Sequence, residues 1–154
     1  MSLSLQDQFG PNGRCFGCGP KNDKGLQIKS FPQKDGMVLC QFQPQKHHEA
    51  FENVVNGGIL GAILDCHSNW TAAYAIMQER MDDTIPWTVT AEYHVRLLHP
   101  TPSDRDIVLK AYPTKVQGNK AWVEAHAYVG DLKTATCEGL FVAVKEDHPA
   151  YNRW

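Results

Sequence analysis

The sequence predicts an α+β fold in which an antiparallel sheet packs against one long helix. Two observations carry this prediction. Residues 57–80 contain no proline and repeat apolar side chains every three or four positions, which is the period of a helix. Residues 86–145 instead alternate apolar and polar side chains in segments separated by turn residues, which is the period of strands. We therefore expect a four-strand antiparallel meander after the helix.

The segment before the helix is expected to hold little regular structure at first. Residues 1–25 are rich in glycine and proline, which predicts an irregular lead-in. Residues 26–31 and 37–42 then have the composition of two short strands, joined by a turn at residues 34–36. The polar segment 44–55 is expected to be a loop with room for one helical turn.

Helix 57–80 is predicted to be covered on two sides, because it carries two different stripes. The apolar stripe consists of Ile59, Ile63, Cys66, Trp70, Tyr74 and Met77. The second stripe is small and polar and consists of Gly58, Gly61, Asp65, Ser68, Asn69 and Ala72. Asp65 is the only charged residue in the middle of the helix, so it requires either a hydrogen-bonding partner or a function.

The strands after the helix are delimited by turn residues and prolines. They are expected at residues 87–97, 107–116, 121–129 and 134–145. The first ends at Pro100, and Pro113 is expected to bend the second. Glycines at positions 118 and 130 mark the two hairpin turns.

Length and composition exclude several classes of protein. The 154 residues are expected to form one domain over 1–154, and 42% hydrophobic against 21% charged residues excludes a wholly disordered chain. The formal net charge of -2 argues against nucleic acid as a partner. No run of about 20 apolar residues is present, so we expect no membrane span. The N-terminus has no basic and no apolar signal region, which predicts a cytoplasmic protein.

Three segments, in this order, carry a resemblance to a known family. The first is Cys15 to Leu26, with the pattern C-F-x-C-G-x-x-N-x-x-G-L. The second is residues 56–65, NGGILGAILD, at the start of the central helix. The third is the long strand from Thr90 to Pro100. Together they resemble the hotdog-fold acyl-CoA thioesterases of the phenylacetate-degradation type.

This resemblance implies a fold, an assembly and an activity. The implied hotdog fold has five or six antiparallel strands wrapped around helix 57–80. The implied assembly is a homodimer or a dimer of dimers, with active sites between subunits. The implied activity is hydrolysis of acyl-CoA thioesters, with the coenzyme A thioester as substrate and no metal or other cofactor.

The resemblance also implies roles for individual residues. Asp65 takes the position of the family's acid, which acts as base or nucleophile. Gly58 or Gly57 takes the position that offers a backbone N–H to the thioester carbonyl, and Thr90 that of a water-orienting hydroxyl. Where the family has histidine this chain has Asn56, which can cap the helix and also donate from its amide.

Two further features of the sequence have a structural and a functional interpretation. His48 lies just upstream of the Asn-Gly-Gly motif, so we expect it either in a surface loop or, with Gly57, in contact with substrate. Cys15 and Cys18 have the C-x-x-C spacing of half a zinc site. No second Cys/His pair lies nearby in the sequence, so we expect structural cysteines and no metal.

Two rival functions remain open at this point. A hotdog-fold hydratase or dehydratase acting on acyl thioesters is one, although such enzymes typically pair an acid with a histidine. A non-catalytic acyl-CoA-binding module is the other, and the replacement of the family histidine by Asn56 is its best support.

Overall fold

A six-stranded antiparallel sheet packs against one long helix in the computed structural model, which describes residues 2–154 and leaves residue 1 outside the described part. The helices are α1 (Leu5–Phe9) and α2 (Gly57–Arg80), with a 3-10 turn at Lys46–His48. The strands are β1 (Phe31–Pro32), β2 (Val38–Phe42), β3 (Glu49–Phe51), β4 (Val54–Val55), β5 (Thr88–Leu97), β6 (Ile107–Gln117), β7 (Lys120–Val129) and β8 (Leu132–Ala143). The predicted α+β class and the central helix are confirmed.

Helix α2 has the predicted bounds because both of its ends are capped. Asn56 is the N-cap, and Met81 ends the helix in the left-handed conformation, with a φ of 53°. Between these ends the helix is buried on most of its circumference, as the two stripes predict. Trp70, Ile63 and Leu64 are at most 1% exposed and anchor it in the core.

The sheet order corrects the predicted four-strand meander. The order is β1-β2-β6-β7-β8-β5, so of the four strands predicted to form the meander, β6, β7 and β8 follow one another as hairpins and β5 does not. Strand β5 pairs with β8 and not with β6. The chain passes from α2 into β5 at one edge of the sheet, and the segment after β5 crosses back to β6, which pairs with β2. This crossover leaves β5 as an edge strand, with one side unpaired by any residue of 2–154.

The predicted alternation along β5 is also interrupted. A β-bulge lies between Thr90 and Glu92, and it shifts the register against β8. Thr90 pairs with Phe141, and Tyr93 pairs with Gly139. Both partners belong to the buried face of β8, which is the face toward the helix. Even-numbered residues therefore face α2 before the bulge and odd-numbered residues face it afterwards.

The N-terminal lead-in is more regular than predicted. Residues 5–9 form helix α1, because Ser4 caps it by accepting a hydrogen bond from the Asp7 N–H. The five-residue helix buries Leu5 and Gln6. Glycine and proline further along the lead-in obscured this short helix in the sequence.

Two other segments before α2 differ from expectation. The strand predicted at 26–31 contributes only Phe31–Pro32 to the sheet, since Gln27 adopts a positive φ of 51° that interrupts extended structure. The segment 44–55 contains the expected helical turn, and it also contains the two-stranded hairpin β3-β4. None of the helices in residues 2–154 has the length and apolar character needed to cross a bilayer.

Candidate active site

Asp65 lies half-buried on the face of α2 that meets β5. The Thr90 hydroxyl donates a hydrogen bond of 2.6 Å to Asp65 Oδ1, so the structure brings two predicted site residues together. Burial raises the pKa of the Asp65 carboxyl, the Thr90 hydrogen bond opposes that rise, and the nearby Cys15 thiol adds to it. A carboxylate that is partly desolvated and held by one donor is a stronger base than an exposed one.

The bulge in β5 explains why Thr90 reaches the helix. Thr90 precedes the bulge, and its side chain faces the helix. The same is true of Thr88, which is fully buried. One helical turn beyond Asp65, the Asn69 Nδ2 donates to the Thr88 carbonyl at 3.3 Å. Asn69 Oδ1 is buried and has no hydrogen-bond partner among residues 2–154. This buried acceptor without a partner is on the same side of the helix as Asp65, and such unpaired buried groups are uncommon in folded proteins.

The start of α2 is organised by Asn56. Its Oδ1 accepts from the Gly58 N–H at 2.7 Å and from the Ile59 N–H at 3.3 Å. The Gly58 N–H, which the sequence offered first as carbonyl donor, is therefore occupied by the cap. Within residues 2–154, neither the Gly57 N–H nor Asn56 Nδ2 has a partner. These two are the donors free to meet an incoming carbonyl.

An apolar cleft of about 310 Å³ opens beside Gly57. It is lined mainly by apolar side chains, including Phe51, Leu60, Leu97 and Leu98. A Cβ atom on Gly57 would lie 3.1 Å from Leu97 Cδ1, so a side chain at this position would crowd the cleft. The free N–H of Gly57 is thus at the wall of an apolar space.

His48 is buried and not exposed in a surface loop, so that expectation is wrong, whereas its contact with substrate stays a prediction. It is 7% exposed, and its Nδ1 accepts from the Gln45 N–H at 3.0 Å. Its ring packs beside Phe42 and His47, away from the cleft at Gly57. Its carbonyl accepts from the Asn56 N–H at 2.9 Å. His48 therefore positions the cap of α2 through its backbone.

The predicted site residues form two groups within one chain. Asp65 and Thr90 form the first, and Asn56, Gly57 and Gly58 form the second at the helix start. Eight residues of helix separate Gly57 from Asp65, which is about 12 Å along the axis. One carbonyl cannot contact the Gly57 N–H and the Asp65 carboxylate of the same chain.

Three residues near these groups were missed by the sequence interpretation. Asn69 follows Asp65 by four positions and belongs to the same predicted stripe, but no sequence signal assigned it to the site. Tyr93 lies near Asp65, and burial first and that carboxylate second raise the pKa of its phenol. Leu97 lines the apolar cleft. The alternating pattern places Tyr93 and Leu97 on the apolar face of β5, and no local signal indicated that a bulge would let Thr90 face the helix as well.

Three thiols form a cluster beside Asp65, which we call the thiol cluster: Cys15, Cys18 and Cys66. Their sulfur atoms all lie within 4.8 Å of one another. Hydrogen bonds from the Cys18 and Cys66 thiols, and from the backbone N–H groups of Cys18 and Gly17, lower the pKa of the Cys15 thiol. The sequence around Cys15 does not reveal this cluster, because Cys66 comes from α2.

Comparison with known proteins identifies the fold. No family model matches the sequence, and no curated protein matches it. Among solved structures, a thioesterase superfamily protein from Shewanella loihica PV-4 is 25% identical, with a TM-score of 0.64 over 77% of this chain and 91% of that one. A second thioesterase superfamily protein is 20% identical, with a TM-score of 0.70 over 92% of this chain and 66% of that one.

A third similar structure shares the fold at a lower sequence identity. It is a phenylacetic acid degradation-related protein from Ralstonia eutropha JMP134, 16% identical, with a TM-score of 0.63 over 77% of this chain and 86% of that one. These structures share the antiparallel sheet packed on a long helix that is seen here. The resemblance deduced from the sequence motifs is confirmed, and the chain has the hotdog fold of the thioesterase superfamily.

Proposed function

We propose that this protein hydrolyses acyl-CoA thioesters, with Asp65 as base or nucleophile. The observation that carries the proposal is the Asp65–Thr90 pair, a half-buried carboxylate with a single hydroxyl donor at 2.6 Å. A buried charge with one hydrogen bond is poorly compensated. It therefore contributes little to the stability of the fold and is available to take part in a reaction. The orphaned Asn69 Oδ1 nearby offers a second acceptor for a water molecule.

The second half of the site comes from a second copy of the chain. Because about 12 Å of helix separates Gly57 from Asp65, one carbonyl requires the helix start of one subunit and Asp65 of its neighbour. Strand β5 supplies the contact, since its free edge is ten residues long. Tyr93 and Leu97 on β5 are 46% and 57% exposed in a single chain, which favours their burial in a homodimer. Two such dimers can pair further.

The carbonyl oxygen accepts from the Gly57 N–H at the positive end of the helix. The Asn56 amide adds a second donor through Nδ2 while its Oδ1 retains the cap. The Gly58 N–H continues to donate to Asn56 Oδ1. The role of Gly58 is to let the backbone turn at a position where a side chain would be in the way. The acyl chain then fits the apolar cleft at Leu60 and Leu97.

The reaction adds water across the thioester and breaks the carbon–sulfur bond. In one route Asp65 takes a proton from water, whose oxygen attacks the carbonyl carbon, and the leaving thiolate takes that proton. In the other route the Asp65 carboxylate attacks the carbon itself, and water hydrolyses the resulting anhydride. Both routes require an ionised Asp65 and release free coenzyme A. Neither requires a metal or an organic cofactor.

One observation favours a non-catalytic acyl-CoA-binding module as second candidate. Asn56 replaces the family histidine, and its Oδ1 occupies the Gly58 N–H, so one donor at the helix start is unavailable to substrate. Such a module would keep the apolar cleft and the fold and lack turnover.

Release of free thiol from a panel of acyl-CoAs tests the proposal. The panel varies the acyl group from acetyl through medium-chain to phenylacetyl, and binding of each compound is measured in parallel. We expect at least one thioester to be hydrolysed with saturation kinetics. Saturable binding without thiol release would instead establish the binding module, and water addition to an enoyl thioester without thiol release would establish a hydratase.

A further inference from the structure

We propose that Cys15, Cys18 and Cys66 form a three-thiolate site for a divalent cation of the zinc class. Two of these residues come from the N-terminal loop, and the third comes from α2, immediately after Asp65. The site is separate from the proposed hydrolysis, since none of the three sulfurs is needed for it.

The spacing of the sulfurs fits a metal. Zinc–thiolate bonds are about 2.3 Å long, so two thiolates on one tetrahedral zinc lie about 3.8 Å apart. The Cys15 and Cys66 sulfurs are 3.6 Å apart, and the three sulfurs all lie within 4.8 Å of one another. All five cysteines of the chain are free thiols in the structure. The cluster is thus already close to the arrangement that a cation would draw together.

The loop that carries Cys15 and Cys18 is shaped to present sulfur ligands. The Leu26 N–H donates to the Phe16 carbonyl at 2.7 Å and the Ile28 N–H to the Gly17 carbonyl at 3.1 Å, which fixes the backbone between the two cysteines. The Gly19 N–H closes the turn on the Cys15 carbonyl at 2.8 Å. A Cβ on Gly17 would overlap the Cys66 sulfur, so only glycine lets the loop lie this close to α2.

Charge and access also suit a cation. Each thiol loses its proton on binding, so three thiolates and one divalent cation leave a net charge of -1. The Arg153 guanidinium interacts favourably with the negative charge of all three sulfurs when they are ionised, which offsets part of that charge. Cys15 is exposed, whereas Cys18 is 5% exposed, so a cation enters from the Cys15 side and keeps its fourth position toward solvent. An open fourth position distinguishes this site from a closed Cys₄ site.

Titration of the reduced, chelator-treated full-length protein with Co²⁺ tests the site. Cobalt is a spectroscopic substitute for zinc, and thiolate ligation gives an intense charge-transfer band in the near ultraviolet. We expect one equivalent of Co²⁺ to produce this band and one equivalent of Zn²⁺ to remove it. The same protein is then tested for thermal stabilisation by Zn²⁺, because a cation that binds only the folded state raises the melting temperature.

Cysteine variants distinguish this cluster from the other thiols. Cys15→Ser and Cys66→Ser are expected to weaken Co²⁺ binding at least about tenfold. Cys40→Ala, a buried cysteine outside the cluster, is the matched control and should bind as wild type does. Cys15 is exposed, so its variant remains informative even if Cys66→Ser folds poorly.

Three outcomes would overturn the proposal: no charge-transfer band at excess Co²⁺, a band that survives Cys15→Ser, or a Cys15–Cys66 disulfide formed under mild oxidation in a protein that binds no metal when reduced. None of these readouts measures thioester hydrolysis. Failure here is therefore distinguishable from failure of the proposed function.

Discussion

Two opposite faces of α2 each carry a polar residue that is at least half-buried, and the two residues differ in their hydrogen-bond partners. On one face His67 is fully buried, with its Nε2–H donating to the Val38 carbonyl at 3.0 Å and its Nδ1 bonded to the Ser30 hydroxyl at 2.8 Å. On the other face Asp65 is half-buried, and among residues 2–154 the Thr90 hydroxyl is its one side-chain partner. The first residue completes a hydrogen-bond network, whereas the second leaves a reactive group at an open edge.

The network around His67 extends to the N-terminus. Gln6 bonds Ser30 twice, through its Nε2 to the Ser30 hydroxyl at 3.0 Å and through its Oε1 to the Ser30 N–H at 2.8 Å. Helix α1 is thereby fastened to α2 through Ser30 and His67. Every member is buried and satisfied, which is the condition under which buried polar groups stabilise a fold. In this helix the number of hydrogen-bond partners, more than burial alone, separates the structural polar residue from the functional one.

Replacing Asp65 should produce the largest effect on activity. Asp65→Asn keeps the shape and can still accept the Thr90 hydrogen bond, but it cannot act as a base or as an equivalent nucleophile. We expect kcat for the best acyl-CoA to fall about 10²–10⁴-fold, with binding of the thioester nearly unchanged. Stopped thiol-release assays on folded protein measure this. Retention of most of the activity would make Asp65 a structural residue.

The helix start offers a smaller effect on activity. Asn56→Asp keeps the helix cap, because aspartate also accepts from the first N–H groups, but it removes the amide donor. We expect kcat to fall by a factor equivalent to about 1–3 kcal/mol, without a loss of thermal stability.

Asn56→His is the matched variant for that test, since imidazole restores a donor near the carbonyl. It should retain more activity than Asn56→Asp. Equal hydrolysis by wild type and by Asn56→Asp would show that Asn56 acts only as a cap and that the carbonyl depends on Gly57 alone.

On the opposite face the effect should be on stability. His67→Phe removes the partners of the Ser30 hydroxyl and the Val38 carbonyl, and we expect the free energy of unfolding to fall by about 1–3 kcal/mol. Denaturant unfolding at neutral pH measures this loss. Thiol release at a temperature where the variant is folded should stay within a few-fold of wild type. A variant as stable as wild type would contradict the structural role of the network.

The pH dependence of stability sharpens the same comparison. Burial lowers the pKa of His67 to about 4, from an ordinary value of 6.5. The unfolded chain therefore binds a proton at a pH where the folded chain does not. His67 should contribute its full stability above pH 6.5 and lose it as the pH falls toward 4. His67→Phe should lack this part of the acid-induced destabilisation.

Thr90 should show the smallest effect. Its hydroxyl lowers the pKa of Asp65, against the rise caused by burial. Thr90→Val removes that donor, so the pKa of Asp65 rises and the acid limb of kcat/KM moves to higher pH. Thr114→Val, on an exposed part of β6, is a control that should leave the profile in place. An unmoved limb in Thr90→Val would show that this hydrogen bond does not tune Asp65.

Local sequence patterns predicted the elements better than their arrangement. The helical period of 57–80 and its capping asparagine fixed α2 at both ends, because period and caps are local properties. The position of β5 at the sheet edge was missed, since strand order depends on a crossover between distant segments. The bulge near Ala91 was missed as well, because an alternating pattern continues through it in the sequence.

The same distinction applies to the candidate site. Asp65, Thr90 and the Asn56-Gly57-Gly58 turn were indicated by a motif, and the structure pairs the first two. The occupied Gly58 N–H was not predictable, because an Asn side chain before two glycines can point either way. The thiol cluster was missed because Cys66 is 51 residues from Cys15 and reaches it only through the packing of the lead-in on α2.

The stability of Asp65→Asn at neutral pH tests the central claim most directly, namely that Asp65 is placed for chemistry at the expense of stability. Its folded pKa is raised above the ordinary value of 3.8, so ionised Asp65 opposes folding at neutral pH. The account predicts that denaturant unfolding gives Asp65→Asn a free energy of unfolding equal to or above that of wild type. A loss of more than about 1 kcal/mol, the contribution of an ordinary structural hydrogen bond, would contradict it.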